Sequence, residues 1–196
     1  MIATMLIERK SISVSDFRCS AGPGDTPFAE QHRCHSISYV RKGSFGLHCR
    51  GKFSELVAGS VLVGHPGDEY TCTHDHVCGD ECLSFFIGPE LVEAIGDSRT
   101  PWQVGSVPPL PELVVLGELA QSAADGNSDI GLDEIGQVLA SRFVEVVSGK
   151  PEGRRLVSAL RFDRVLSCQA RNIDMARPDD RLNVIGAPGT ATINGG

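Results

Sequence analysis

Cysteine and histidine side chains crowd one short stretch of the chain, residues 70–87. Five of them fall within eleven positions: Cys72, His74, His76, Cys78 and Cys82. The first four occupy every second position, so a β-strand would direct all four side chains to one face. Thiolates and imidazoles are ligands that zinc prefers in proteins. The pattern therefore predicts a metal site in this stretch.

The residues that follow predict how the ligands come together. Residues 79–81 read as a three-residue turn, and Cys82 then opens a return strand opposite Cys78. Opposed residues in such a hairpin have Cβ atoms about 4.5–5.5 Å apart, which suits two thiolates on one ion. A straight strand from Cys72 to Cys78 spans about 20 Å, too far for one ion. The compact ligand set is therefore His74, His76, Cys78 and Cys82, with Cys72 in reserve. Residues from neighbouring strands that could also complete the ligand shell are His32, Cys34, His35 and His48.

The mixture of thiolate and imidazole favours zinc before iron or copper. Two other interpretations stay open: a redox-active pair of Cys78 with Cys82, and a polar hairpin without a ligand. Asp80 and Glu81 are interpreted as solvated charges at the tip of the turn. The cysteines outside the stretch that we interpret as small buried hydrophobic residues are Cys19, Cys49 and Cys168.

Composition restricts the class of protein. The chain has 196 residues and a formal net charge of −7, which argues against a nucleic-acid grip by the whole chain, because phosphate binding needs a basic face. No apolar run approaches the roughly 18–20 residues that span a bilayer, and the first ten residues lack the pattern of a signal peptide. The seven cysteines are an odd number, and metal ligands or thiols fit a reducing compartment better than disulfides do. We expect a cytoplasmic protein with no membrane partner.

Turn signals recur every 8 to 12 residues between residues 10 and 87 and separate seven or eight short strands. This spacing predicts an all-β sandwich or barrel, which we place at residues 1–96. Residues 97–111, with Trp102 and four prolines, are predicted to be a connector over the barrel surface. The aromatic residues expected to line the barrel and bind a ligand are Tyr39, Phe45, Phe53 and Tyr70.

The rest of the chain shows a helical period. Apolar residues recur every three or four positions over residues 110–124 and 132–147, which predicts a helical hairpin. Its apolar faces either cover the barrel or pair with a second subunit. A third helix is predicted within residues 152–170, so that residues 112–170 form a helical dimerisation segment. Residues 171–196 are predicted to be a disordered tail.

Two stretches carry a resemblance to a known family. Residues 36–43 form a β-type run that ends in glycine, and residues 56–68 pass through Ala58-Gly59-Ser60 to His65-Pro66-Gly67-Asp68. These stretches resemble the N-terminal cupin sensor domain of AraC-type bacterial transcription regulators, over roughly residues 10–160. The resemblance implies a jelly-roll barrel, or double-stranded β-helix, followed by an α-helical hairpin.

The same resemblance implies a function. We expect a domain without enzymatic activity that senses a small-molecule or metal effector and forms a homodimer through helices at 112–148. DNA would be reached only through a helix-turn-helix domain, which is missing from this sequence. The alternatives are a small metal-dependent cupin enzyme, such as a dioxygenase or isomerase, and a thiol redox sensor. A three-ligand site with an open position inside the barrel would favour the enzyme, and a closed four-ligand shell would favour the sensor.

Overall fold

The structure is a computed structural model that describes residues 1–75, 79–96, 99–149, 159–161, 167–169, 182–187 and 190–195. The chain divides into two compact units, Met1–Gly149 and Lys150–Gly196. Within the described ranges, no helix has the length and apolar character needed to cross a membrane.

Antiparallel strands dominate the first unit, which confirms the predicted mainly-β fold with helices later in the chain. The predicted short strands are recognisable by their alternating residues and by the glycines between them. Among the described residues of this unit the strands are β1 (Ile2–Glu8), β2 (Ile12–Cys19), β3 (Ala29–Gln31), β4 (His35–Cys49), β5 (Lys52–Val57), β6 (Val61–Gly64), β7 (Glu69–Thr73), β8 (Asp80–Ile87) and β9 (Ser106–Val107).

One long strand, β4, belongs to two sheets. Its first part pairs with β6 and β8 in a sheet of order β1-β2-β8-β4-β6-β9, which we call the first sheet. Its second part, from Ser44, pairs with β5 and β7 in the second sheet, to which β3 is added through β7. The change occurs at Gly43, which has a positive φ of 78° and admits the close approach of the Gly79 backbone. A residue with a Cβ would be strained there and would collide with that backbone.

The predicted hairpin over residues 70–87 is wrong. β7 pairs with β3 and β4, whereas β8 pairs with β2 and β4, so these consecutive strands lie in different sheets. Cys82 faces Phe17 on one side and Val40 on the other in the strand register. Closure of the barrel overrides the local turn signal at residues 79–81, because each of the two strands pairs with β4 and with a strand from earlier in the chain.

Helices cover the outer face of the first sheet. Their bounds are α1 (Pro89–Ile95), α2 (Arg99–Trp102), α3 (Pro111–Ala124) and α4 (Leu132–Val147). The last two confirm the predicted helical hairpin, and their apolar residues pack on Ile37, Leu83 and Phe85 of the sheet. Glycines allow this close contact: a Cβ at Gly117 would overlap the Tyr39 ring, and one at Gly136 would lie 2.6 Å from Ile12.

The predicted connector contributes to this core. Trp102 is fully buried and packs against Phe143 with ring centroids 5.2 Å apart. Beyond it, β9 extends the first sheet by pairing with β6. Residues 99–111 therefore complete the packing between the sheet and the helices, and do not simply run over the surface.

The second unit contains two strand pairs within its described residues. Ala159–Arg161 (β10) pairs with Ser167–Gln169 (β11), and Leu182–Ala187 (β12) pairs with Thr190–Gly195 (β13), both antiparallel. The predicted third helix is thus wrong at residues 159–161 and 167–169, and the predicted tail contains strands. The sequence signal for the second pair is Pro188-Gly189 between two runs with β-branched residues. The rest of both predicted segments lies outside the described residues.

Candidate functional site

A cavity of about 570 Å³ lies inside the barrel. Strand alternation decides which residues face it: Asp80, Cys82, Ser84 and Phe86 of β8 line the cavity, whereas Leu83, Phe85 and Ile87 pack beneath the helices. The second sheet contributes Tyr70 and Cys72 from β7. The volume of the cavity lies in the range of small-molecule sites, about 300–1,000 Å³.

Three different donor groups meet in the cavity wall. The Cys19 sulfur, a ring nitrogen of His74 and a carboxylate oxygen of Asp80 all lie within 4.8 Å of one another. His74 Nε2 donates a hydrogen bond of 2.7 Å to Asp80 Oδ2. The side chains of His74 and Asp80 are only 8 % and 10 % exposed, so their interaction is shielded from water.

Strand pairing brings these groups together. Cys19 ends β2 directly opposite Asp80, the first residue of β8. Beyond Cys19 the chain turns, and the Ala21 N–H donates to the Cys19 sulfur at 3.4 Å. His74 follows the last residue of β7 and so approaches from the second sheet. The cluster therefore joins the two sheets at one end of the cavity.

Cys72 and Cys82 are in the same cavity wall but outside this three-donor group. Burial, aided by nearby acidic groups, raises the pKa of the Cys72 thiol to about 12. Burial also raises the pKa of Cys82, whose thiol donates to Asp80 Oδ1 at 3.3 Å. The thiolate is the reactive form of cysteine, so these two neutral thiols are weak candidates for redox chemistry.

Two sequence interpretations change at this site. Asp80 was expected to be a solvated charge, but its side chain is only 10 % exposed because it opens a central strand of the first sheet. Cys19 was expected to be a buried hydrophobic residue, but it is partly exposed to the cavity beside His74. Of the predicted ligands, His74 belongs to the cluster, and His76 and Cys78 lie outside the described residues. Cys49 is buried as expected.

The predicted ligand-binding aromatic residues separate into two groups. Phe45 and Tyr70 line the cavity. Tyr39 lies on the opposite face of the first sheet, where its hydroxyl donates to Glu118 at 2.6 Å. Phe53 is 56 % exposed on β5 and does not line the cavity. The expectation is therefore wrong for Tyr39 and Phe53. For Tyr39 the sequence leaves the phase of the strand alternation undetermined, because both faces of the first sheet are buried. Phe53 lies on the outer face of the second sheet.

Aromatic residues that sequence reasoning missed complete the cavity wall. Phe17 and Phe86 lie on adjacent strands with ring centroids 6.2 Å apart. His32 stacks on Tyr70 at 4.2 Å. Burial lowers the pKa of His32 to about 4, so its imidazole is neutral at neutral pH. Phe17 could have been predicted, because it is two positions from Cys19 on the same strand and so shares its face.

Comparison with known proteins gives likeness only at the level of solved structures. No protein-family model and no curated protein matches the chain. A protein with a double-stranded β-helix domain from Klebsiella pneumoniae is 18 % identical, with 44 % of this chain and 75 % of that chain covered and a TM-score of 0.37. A cupin superfamily protein from Desulfitobacterium hafniense is 12 % identical, covering 44 % and 76 %, with a TM-score of 0.37. A cupin protein from Bacteroides fragilis is 21 % identical, covering 45 % and 77 %, with a TM-score of 0.38.

Proposed function

We propose that the barrel binds a transition metal ion, zinc before iron or copper, at Cys19, His74 and Asp80. The observation that carries this proposal is the meeting of three donor groups within 4.8 Å in the wall of a cavity. Each donor is a zinc ligand in proteins. The ligand set predicted from sequence thereby keeps His74 and gains two residues from β2 and β8.

The donor positions fit a tetrahedral ion with small side-chain rotations. Zinc bonds of about 2.0–2.3 Å place the donors of a tetrahedral site about 3.3–3.8 Å apart. The 2.7 Å separation of His74 Nε2 and Asp80 Oδ2 would therefore open into this range, and the longer separations would close by about 1.5 Å at most. Metal ligands bind in their deprotonated forms, so binding of the ion would weaken in acid.

The resemblance to the sensor domain and the cavity of small-molecule size support the role of an effector-sensing domain of the AraC-type regulator kind. The β-runs that carry the resemblance form parts of β4, β5 and β6, and Leu62 of β6 lines the cavity. In this proposal a small molecule or the metal itself is the effector. DNA would be contacted by a helix-turn-helix domain and not by the acidic barrel.

Metal content of the purified full chain tests the metal site. We expect one zinc ion per chain, lost in Cys19→Ser and His74→Gln. The matched controls are Cys34→Ser, another cysteine of the cavity wall, and His48→Gln, an exposed histidine. Cys19→Ser is decisive because no ligand set confined to residues 72–82 includes Cys19. Metal-free wild-type protein, or full zinc content in Cys19→Ser with the fold intact, would refute the site.

Dimerisation through the helices at 112–148 is part of the same proposal. Val115 on α3 and Val138 on α4 are exposed apolar residues, although the other face of each helix covers the barrel. We expect a dimer by light scattering, and a monomer for the double variant Val115→Asp/Val138→Asp, because a charge is costly to bury. A wild-type monomer at all concentrations tested would count against this interface.

A metal-dependent enzyme is the second candidate. It is favoured by the placement of the three donors on the inner wall of the barrel, beside a cavity of substrate size. Cobalt(II) in place of zinc reports its ligands through its visible spectrum. A spectrum that changes on addition of azide would show an open coordination position and favour the enzyme. An unchanged spectrum would show a closed shell and favour the sensor.

A further inference from the structure

Two aromatic pairs line the cavity, one on the first sheet and one formed by the second sheet with the loop that follows β3. Phe17 and Phe86 of the first sheet meet edge to face, with an interplanar angle of 62°. Tyr70 of the second sheet and His32 lie nearly parallel, with an interplanar angle of 17°. All four side chains contribute to the cavity wall. Aromatic surface on both sheets favours a flat ring between them, because aromatic groups attract one another beyond the area that they bury.

The part of the cavity wall formed by His32 and Tyr70, away from the proposed metal site, disfavours charge of either sign. Burial lowers the pKa of His32 to about 4, although the nearby Asp68 carboxylate acts in the opposite direction. Burial likewise raises the pKa of Tyr70. A wall that holds both its base and its phenol in their neutral forms would impose a similar desolvation cost on a charged ligand.

Charged side chains around the cavity already have partners or lie at its outer edge. Asp80 is bonded to His74, Asp25 accepts a backbone N–H at 2.8 Å, and Glu30 interacts with Tyr70, whose pKa it helps to raise. Arg33 is exposed. The lining therefore provides no buried, unpartnered charge for an ionic ligand among these four residues.

Small hydroxyl side chains provide space and polarity in the first sheet. Ser84 donates to Ser38 at 2.7 Å across β8 and β4, and both residues line the cavity with Ser36. Each hydroxyl keeps a further position for a hydrogen bond. A ligand with one polar group on its edge could bond here while its ring contacts Phe86.

We propose that the cavity binds a flat, uncharged aromatic molecule that carries one hydroxyl or carbonyl group, held between Phe86 and Tyr70. This inference rests on the proposed sensing function and names the chemical class of its effector. A fused two-ring molecule is well within the cavity volume of about 570 Å³.

Four matched probes test the proposal by calorimetric titration of the full chain: 2-naphthol, 2-naphthoate, naphthalen-2-ylmethylammonium and trans-2-decalol. We expect 2-naphthol to bind about tenfold tighter than each of the others, since only it is both aromatic and uncharged. Equal affinity for the saturated decalol would overturn the requirement for a ring. Tighter binding of either ion would overturn the requirement for neutrality, and absence of 2-naphthol binding would overturn the proposal.

A variant pair locates the binding. Phe86→Leu is expected to weaken 2-naphthol binding about tenfold, and Phe53→Leu, on an exposed aromatic residue outside the cavity, is expected to leave it unchanged. Equal affinities in both variants would place the ligand elsewhere and overturn the proposal.

Titrations with zinc and with a chelator separate the two proposals. Binding of 2-naphthol to a protein that takes up no zinc would refute the metal site alone, and zinc uptake without 2-naphthol binding would refute the aromatic ligand alone.

Discussion

The two faces of the first sheet differ although the same strands form both. On the helix side, Phe85 and its neighbours are sealed beneath α3 and α4, with glycines on the helices to admit them. On the cavity side, serine, cysteine and aspartate residues lie beside partly exposed aromatic residues. The side chains of β8 alternate between the two faces, so one strand contributes both to the stabilising core and to the cavity wall.

Phe85 and Phe86 provide the sharpest test of this comparison. Phe85→Ala should lower the free energy of unfolding by about 3–5 kcal/mol, because it leaves a hole in a close-packed core. Phe86→Ala should cost about 1 kcal/mol, because its ring already borders open space. Urea unfolding of the two variants measures both values. Equal losses would break the distinction between the faces.

Added volume in the contact between α3 and the first sheet should also destabilise the protein. Gly117→Ala should cost about 1–3 kcal/mol, since the new methyl group overlaps the Tyr39 ring. Thermal and urea unfolding measure the loss, and shortening the partner in Gly117→Ala/Tyr39→Leu should cost less than the sum of the two single changes. Simple additivity in the double variant would show that the helix and sheet are not in this contact.

A smaller effect is expected from acid on the cavity side. The pKa of His32 is about 4 in the folded protein, against 6.5 as its ordinary value. The unfolded chain therefore binds more protons between these values, so stability is fully present above pH 6.5 and is lost as pH falls toward 4. His32→Gln should flatten this dependence by about 1 kcal/mol per pH unit at most, because the ring is partly exposed. The exposed-site control is His48→Gln, and parallel curves for wild type and His32→Gln would contradict the prediction.

Local patterns predicted the elements of the fold better than their partners. The apolar period over residues 132–147 marks α4 with its observed bounds, because a helix satisfies its own backbone within one segment. Strands need partners from elsewhere in the chain. Because β7 and β8 are adjacent in the sequence, they were predicted to form one hairpin, which is wrong. The alternation within β7 was still informative, since Tyr70 and Cys72 both line the cavity.

The site was harder to predict for the same reason. His74 was identified because several ligand types stand close together in the sequence. Cys19 and Asp80 meet only through the register of β2 with β8, which no local pattern specifies. Tyr39 was misplaced because aromatic residues serve both faces of a sheet that is buried on both sides. Residue chemistry therefore indicated the region, and strand topology selected the residues.

The position of a bound ion tests the central claim most directly. Crystals of the zinc-loaded full chain, measured at the zinc absorption edge, would locate the metal by its anomalous signal. We predict one peak bonded to the Cys19 sulfur, His74 and Asp80 at the end of the cavity. A peak bonded to Cys82 and its sequence neighbours without Cys19, or no peak at all, would contradict the account.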